Sequence, residues 1–220
     1  MSFRSLFSTV TAVLISTSLA SAVSIAIVNP GFETDLQGVG GWSDNVPTGW
    51  NDPNGNSNDN FMENIAGFAS EGSMHIGFER PGAITAGTRN YIYQDLGTAW
   101  APNTKYTLTV GVGNRSGFGQ GASVLALGST SDAAGVFVSS TTVAENANAN
   151  VNTFQDFSLI FTTGAVAPTG NIRIYGENVS AGSRTHFDNF RLDAAVVPEP
   201  GSLVAGLAGG LGLMIRRRRR

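Results

Sequence analysis

The feature of this 220-residue chain that most limits its fold is a series of short segments in which apolar and polar residues alternate. In the segment 105–112, "KYTLTVGV", the apolar residues fall on one face and the lysine and threonines on the other. A period of two is typical of a strand with one buried face. Comparable patterns are present in segments 24–33, 73–79, 90–97, 122–128, 135–144, 154–163, 171–177 and 185–193.

The stretches between these segments are rich in turn-forming residues. Glycine, asparagine and serine crowd them, most densely in 51–60, "NDPNGNSNDN". No window has the spacing of an amphipathic helix. Many short strands without helices favour a β-sandwich or a barrel. We therefore predict an all-β domain over residues 23–196, a β-sandwich of about nine strands.

The N-terminus has the pattern of a secretory signal peptide. Arg4 precedes an apolar run from Leu6 to Leu19, and the small-residue sequence Ala20-Ser21-Ala22 follows. This order of positive residue, apolar run and small residues predicts cleavage after Ala22. The segment 1–22 would thus direct export through a secretion translocon and be removed by signal peptidase. A buried first helix is the alternative interpretation.

The C-terminus, "VPEPGSLVAGLAGGLGLMIRRRRR", combines three parts in order. Pro198, Glu199 and Pro200 keep the chain extended, because proline cannot continue a helix. The uncharged run 201–215 would be about 22 Å of helix at ~1.5 Å per residue. Five arginines follow, and the positive-inside rule would keep them in the cytoplasm. They are Arg216, Arg217, Arg218, Arg219 and Arg220.

Residues 197–220 resemble the PEP-CTERM sorting signal in all three parts. The resemblance implies a short transmembrane helix that is recognised by an exosortase, in a Gram-negative bacterium that makes extracellular polysaccharide. The protein would be anchored transiently in the inner membrane with its domain on the periplasmic side, and then released to the cell surface or outside the cell. An ordinary tail anchor is the alternative.

Charge and cysteine content exclude several classes of function. Seven basic and fifteen acidic residues lie in 23–197, a net charge of −8. An acidic domain repels phosphate backbones, so we expect no nucleic-acid partner. The chain has no cysteine, which excludes disulfides, zinc-thiolate sites and cysteine nucleophiles.

Three further motifs resemble galactose-binding-like jelly-roll carbohydrate-binding modules. They are "NPGFE" (29–33) with its following "GW" pairs, "YIYQDLGTAWAPNTKYTLTVGVGNR" (91–115) and "THFDNFRLD" (185–193). The resemblance implies a jelly-roll sandwich. In these modules the acidic residues of the first and last motifs commonly hold a structural calcium ion, so it also implies Glu33 and Asp188 as calcium ligands. Alternatively, Asp188 pairs with Arg184 or Arg191, or accepts backbone hydrogen bonds.

The alternation in the last segment bears on Asp188. Phe190 and Leu192 are expected to face the core, which places Asp188 on the same side. An ionised carboxylate facing inward needs a partner or a cation.

Sugar binding requires aromatic faces and planar polar groups. The residues expected to supply them are Trp42, Trp50, Arg89, Tyr91, Tyr93, Gln94 and Trp100. Each tryptophan could instead close an end of the sandwich.

Residues suited to catalysis are few in this chain. The two histidines, His75 and His186, lie inside strand patterns, and we interpret His75 as structural. No nucleophile elbow, zinc-protease motif or P-loop is present. A glycosidase needs two neighbouring carboxylates; the sequence permits a pair such as Glu63 and Glu79 but singles none out. We therefore predict a non-enzymatic surface protein that binds carbohydrate or exopolysaccharide. The alternatives are a structural or adhesive protein without a sugar site, and a polysaccharide hydrolase.

Overall fold

The computed structural model describes residues 21–53, 60–79, 89–180 and 183–197. Residues 22–196 form one compact unit. Most of the predicted signal peptide and all of the sorting residues from Pro198 to Arg220 lie outside the described residues, and both segments stay predictions. Within the described part of the chain, no helix is long and apolar enough to cross a membrane.

The described residues form eleven strands and one short 3-10 helix, which is Glu33–Asp35. The all-β prediction is confirmed. Nine strands overlap the predicted segments, although β1 overlaps the segment 24–33 only at residues 24 and 25. The two strands that were missed are the short β2 and β3. The strands are β1 Val23–Ile25, β2 Trp42–Ser43, β3 Asn60–Glu63, β4 His75–Phe78, β5 Asn90–Ala99, β6 Thr104–Asn114, β7 Ser123–Ser129, β8 Ser139–Val143, β9 Thr153–Thr162, β10 Asn171–Asn178 and β11 Thr185–Val196.

The strands pair into two antiparallel sheets. The seven-stranded sheet has the order β2-β3-β4-β11-β6-β9, with β1 also paired to β11. The four-stranded sheet has the order β5-β10-β7-β8. Apolar side chains from both sheets form one buried cluster, which includes Leu108 and Val110 of β6 and Ile174 of β10. The sandwich is therefore confirmed, as is the predicted inward face of β6; the finer jelly-roll assignment stays a prediction.

A β-bulge in β11 changes which residues face the core. The register shifts between Asp188 and Arg191, and Asn189 adopts a positive φ of 52°. The bulge resets the alternation, so that Phe187 and Phe190 both join the core. Asp188 follows Phe187 directly and therefore points to the opposite, outer face of the seven-stranded sheet. The predicted inward direction of Asp188 is wrong, because an alternation count cannot anticipate an extra residue.

Candidate functional site

The outer face of the seven-stranded sheet carries a row of polar and aromatic residues. Met62 and Ile76 face the core, so their neighbours Phe61, Glu63 and His75 face outward. Cross-strand pairing places Glu63 opposite both Trp42 and His75. It also places Gly77 opposite both Phe61 and His186. Residues that are far apart in sequence are thereby brought together.

Glycines in this row leave space for aromatic rings to lie over the strands. A Cβ on Gly77 would lie 2.4 Å from the Phe61 ring and 3.1 Å from His186 Nδ1. Gly113 of β6 pairs with His186 of β11. A Cβ on Gly113 would lie 2.7 Å from the Phe154 ring. Since real Cβ atoms essentially never lie within 3.0 Å of another atom, the Phe61 and Phe154 rings could not adopt these positions over larger residues.

A cavity of about 300 Å³ opens at one end of this row. Its walls combine two aromatic rings with three carboxylates and one guanidinium. Trp42, the outermost ring, is 62% exposed. The lining residues are Trp42, Asp44, Phe61, Glu63, Glu79 and Arg184.

Two ion pairs stabilise the cavity wall. Arg115 Nη1 donates to Glu63 Oε2 over 2.6 Å, and Arg184 donates to Glu79. Both guanidinium groups lie over the Phe118 ring, Arg184 at 4.1 Å and Arg115 at 4.9 Å from its centroid. These cation–π contacts hold the two arginines beside the carboxylates.

Glu63 is kept ionised in this setting. Burial alone would raise the pKa of its carboxyl group, but interactions with His75 and Arg115 outweigh burial and lower that pKa. The His75 Nε2 and Glu63 Oε2 atoms lie 3.4 Å apart. An ionised carboxylate in the cavity wall can stabilise positive charge on a ligand or accept a proton from it.

Asp188 lies buried on the same outer face, beneath the chain at residues 70 and 71. Its Oδ2 accepts hydrogen bonds from the backbone N–H groups of Ser70 (2.5 Å) and Glu71 (3.1 Å). Burial outweighs these hydrogen bonds and raises the pKa of the Asp188 carboxyl group to about 7. Asp188 therefore accepts backbone hydrogen bonds, as one predicted alternative had it.

Glu33 accepts hydrogen bonds from the same backbone segment as Asp188 does. Its Oε1 accepts hydrogen bonds from the backbone N–H groups of Ser73 (2.7 Å) and Met74 (2.6 Å). The two predicted calcium ligands thus both contact residues 70–74, although 155 positions separate them in the sequence.

The predicted sugar-binding residues do not form one site. Trp50 and Trp100 are 5% and 6% exposed and belong to the core between the sheets, as the alternative interpretation of the tryptophans had it. The Gln94 side chain is also buried, and it hydrogen-bonds both backbone groups of Val28. Gln94 lies on β5, whereas Trp50 and Trp100 lie outside the strands and help to close the sandwich.

The remaining predicted residues lie on opposite sides of the molecule. Tyr91 and Tyr93 pack with Tyr175 on the outer face of the four-stranded sheet. Arg89 lies over the Tyr91 ring and forms an ion pair with Glu177. Trp42 alone of the predicted set lines the cavity on the other sheet.

The cavity residues were largely missed by sequence reasoning. Glu63 and Glu79 were named only as a pair that the sequence permits, and the structure places both in the cavity wall. Period-two alternation in "NFME" could have identified Phe61 and Glu63 as neighbours on one face, but this strand follows directly on the asparagine-rich stretch.

Comparisons with known proteins assign the chain to a family of enzymes. Residues 23–193 match the profile of the HpiC1-like family, described as HpiC1 cyclase. Fisc, a Stig cyclase from Fischerella sp. TAU solved in complex with (3Z)-3-(1-methyl-2-pyrrolidinylidene)-3H-indole, has 26% sequence identity and a TM-score of 0.64. The match covers 81% of this chain and all of that one.

A second solved structure shares the fold. A cyclase from Fischerella sp. TAU in complex with 4-(1H-indol-3-yl)butan-2-one has 23% identity and a TM-score of 0.64, over 80% of this chain and all of that one. No curated protein sequence matches the chain. The prediction of a non-enzymatic protein is wrong, because the profile covering the whole domain is that of a cyclase. The chain belongs to the HpiC1-like cyclase family.

Proposed function

We propose that the protein is a cyclase that binds an aromatic, indole-like substrate in the cavity and closes a ring in it. The observation that carries the proposal is the combination of stacking surfaces and carboxylates in the cavity of an HpiC1-like domain. Trp42 and Phe61 offer ring faces for a planar aromatic group. Glu63 and Glu79 offer acceptors for a ring N–H or a cationic nitrogen. The ligand of Fisc, which contains an indole skeleton, fits these requirements.

The proposed reaction is an isomerisation. A proton from a cavity carboxyl group makes the substrate electrophilic, and a π bond of the same substrate attacks the electrophilic carbon to form the ring bond. Loss of one proton then restores neutrality, so substrate and product have the same formula. Glu63, ionised beside Arg115, stabilises the intermediate positive charge and accepts the departing proton.

Binding of the two indole compounds named above tests the first half of this proposal. Isothermal titration of the wild-type protein should show saturable binding that Trp42→Ala and Glu63→Gln weaken. Ile160→Ala is the matched control, because Ile160 is 61% exposed on the same sheet but does not line the cavity. Equal affinity in Trp42→Ala and wild type would refute the cavity as the binding site.

Turnover tests the second half. An indole that carries a flexible alkene chain should be converted to a product of unchanged mass, which NMR would identify as cyclic. Glu63→Gln should slow this conversion more than it weakens binding. Absence of any cyclic product from a series of such compounds, with indole binding intact, would contradict the assignment of cyclase activity.

A structural calcium ion remains part of the proposal. The Glu33 and Asp188 carboxylates are hard oxygen ligands of the kind calcium prefers. Asp188 Oδ1 is buried without a hydrogen-bond partner among the described residues, which fits a role in cation binding. Calcium would then connect residues 70–74 to β11. Titration with calcium should raise the melting temperature of the wild type but not of Asp188→Asn.

The cellular context is a further proposal that depends on sequence alone. The signal peptide 1–22 and the sorting segment 197–220 support export, transient anchoring through 201–215, and processing by an exosortase. The enzyme would then act at the cell surface or outside the cell. Mass spectrometry of the mature protein tests this: recovery of a chain that retains Arg216 to Arg220 would refute processing.

Binding to exopolysaccharide is the second candidate function. The exposed Trp42 ring, with carboxylates beside it, is also suited to stacking against a sugar. A glycan array on the mature protein tests this candidate, and competition by 4-(1H-indol-3-yl)butan-2-one would locate the sugar in the cavity. If no glycan is retained, the polysaccharide proposal fails while the cyclase proposal stands.

A further inference from the structure

The two histidines of the chain are buried side by side on the outer face of the seven-stranded sheet. His75 and His186 are both 0% exposed, and their ring centroids lie 5.2 Å apart. None of their four ring nitrogens has a hydrogen-bond partner among the described residues. The rings of Phe68 and Phe154 pack against them, so the surroundings are apolar on that side.

Buried histidines without hydrogen-bond partners are energetically unfavourable. A buried polar group without a partner costs about 1–3 kcal/mol, and native structures contain few of them. A neutral imidazole has a lone pair on one ring nitrogen, and histidine binds metals through this nitrogen.

Glu63 completes a three-residue cluster. A carboxylate oxygen of Glu63 and one nitrogen from each imidazole all lie within 4.8 Å of one another. We propose that Glu63, His75 and His186 bind a divalent transition-metal ion, with zinc as the best chemical match. Two imidazole nitrogens and one carboxylate oxygen form a known zinc-binding set, whereas calcium prefers oxygen ligands throughout.

One of the three ligand-atom distances already fits a tetrahedral site. Zinc bonds of about 2.0–2.1 Å separate two ligand atoms by roughly 3.3–3.4 Å. The His75 Nε2 to Glu63 Oε2 distance of 3.4 Å already matches such an edge. The other two ligand-atom distances are at most 4.8 Å, so metal binding would require His186 to move toward the other two ligands. Arg115, which donates to Glu63, would act as the outer partner that orients a ligating carboxylate.

The site would connect to the cavity through Glu63, which lines it. Three protein ligands leave a fourth position for water or for a substrate atom. A metal there would neutralise part of the cavity's negative charge and polarise a bound carbonyl or imine. The metal site does not depend on the proposed cyclisation, since the ligands are defined by burial and distance alone.

Metal analysis of the full mature protein tests the proposal. The protein is purified with a histidine-free tag, stripped with chelator, and titrated with zinc and, separately, with cobalt. Elemental analysis should find one zinc per chain, and cobalt should produce visible d–d absorption that zinc abolishes and calcium does not. Substitution of each proposed ligand should weaken zinc binding by more than the roughly 10- to 100-fold loss that follows when a residue hydrogen-bonded to a ligand is changed. The ligand variants are Glu63→Gln, His75→Gln and His186→Gln.

Glu79→Gln is the matched control. Glu79 is a cavity carboxylate paired with an arginine, as Glu63 is, but it is not part of the histidine cluster. This variant should retain zinc. Circular dichroism in chelator checks that each variant folds. If the histidine variants do not fold, zinc binding by Glu63→Gln tests the proposed site. Failure of the wild type to retain zinc or cobalt, or undiminished zinc in the Glu63 variant, overturns the proposal.

Discussion

Replacing Trp50 with alanine should destabilise the domain by about 4 kcal/mol, because this ring is part of the core. Trp50 is 5% exposed, and its ring centroid lies 4.8 Å from that of Phe190 and 5.5 Å from that of Phe32. Its indole N–H donates to the Asn29 carbonyl over 3.1 Å. Truncation of a buried aromatic residue costs about 3–5 kcal/mol, and the lost hydrogen bond favours the middle or upper part of that range.

The assay is chemical denaturation at constant temperature, followed by far-UV circular dichroism so that loss of a fluorophore does not alter the signal. The denaturant midpoint should fall while the slope of free energy against denaturant stays constant. Trp42→Ala is the matched control, because a ring that is 62% exposed should contribute less than about 0.5 kcal/mol to stability. A loss below about 0.5 kcal/mol in Trp50→Ala would refute the packing argument, since surface substitutions cause changes of that size.

Two further predictions concern the outer face of the seven-stranded sheet. Between the ordinary carboxyl pKa near 3.8 and the raised value of about 7, Asp188 is protonated in the folded state and ionised in the unfolded state. Stability should therefore fall by about 1.4 kcal/mol per pH unit through this window and level off above it. Asp188→Asn, compared with wild type by denaturation in chelator at several pH values, should lack this slope; parallel curves would contradict the pKa shift. Gly77→Ala should displace the Phe61 ring, lower stability by about 1–3 kcal/mol and weaken binding of the indole probes. Unchanged probe affinity in a folded Gly77→Ala protein would show that Phe61 is not part of the binding surface.

The strands were predictable because their signal is local. Alternation along β6 is a property of neighbouring residues, and burial of one sheet face enforces it along the whole strand. The strands β2 and β3 have only two and four residues, which is too short for a periodic signal. Both therefore escaped prediction, and with them the position of Trp42, Phe61 and Glu63 on one face.

The assignment of catalytic function failed for a related reason. Composition and short motifs showed no known catalytic signature, and the chain was therefore predicted to be non-enzymatic. The cavity of this cyclase-family domain depends on Glu63 and Glu79 from one part of the chain and Arg184 from another. No spacing rule connects residues that separate strands bring together, so no short motif could identify them.

The all-β class, the sign of the domain's charge and the inward face of strands such as β6 follow from the sequence, since each depends on residue type or local period. The tertiary structure was needed to distinguish the aromatic residues of the core from those that line the cavity. It also decided that a bulge at Asn189 turns Asp188 outward, and that Glu63, His75 and His186 meet. These outcomes depend on strand order and register, which long-range packing selects and which local alternation leaves open.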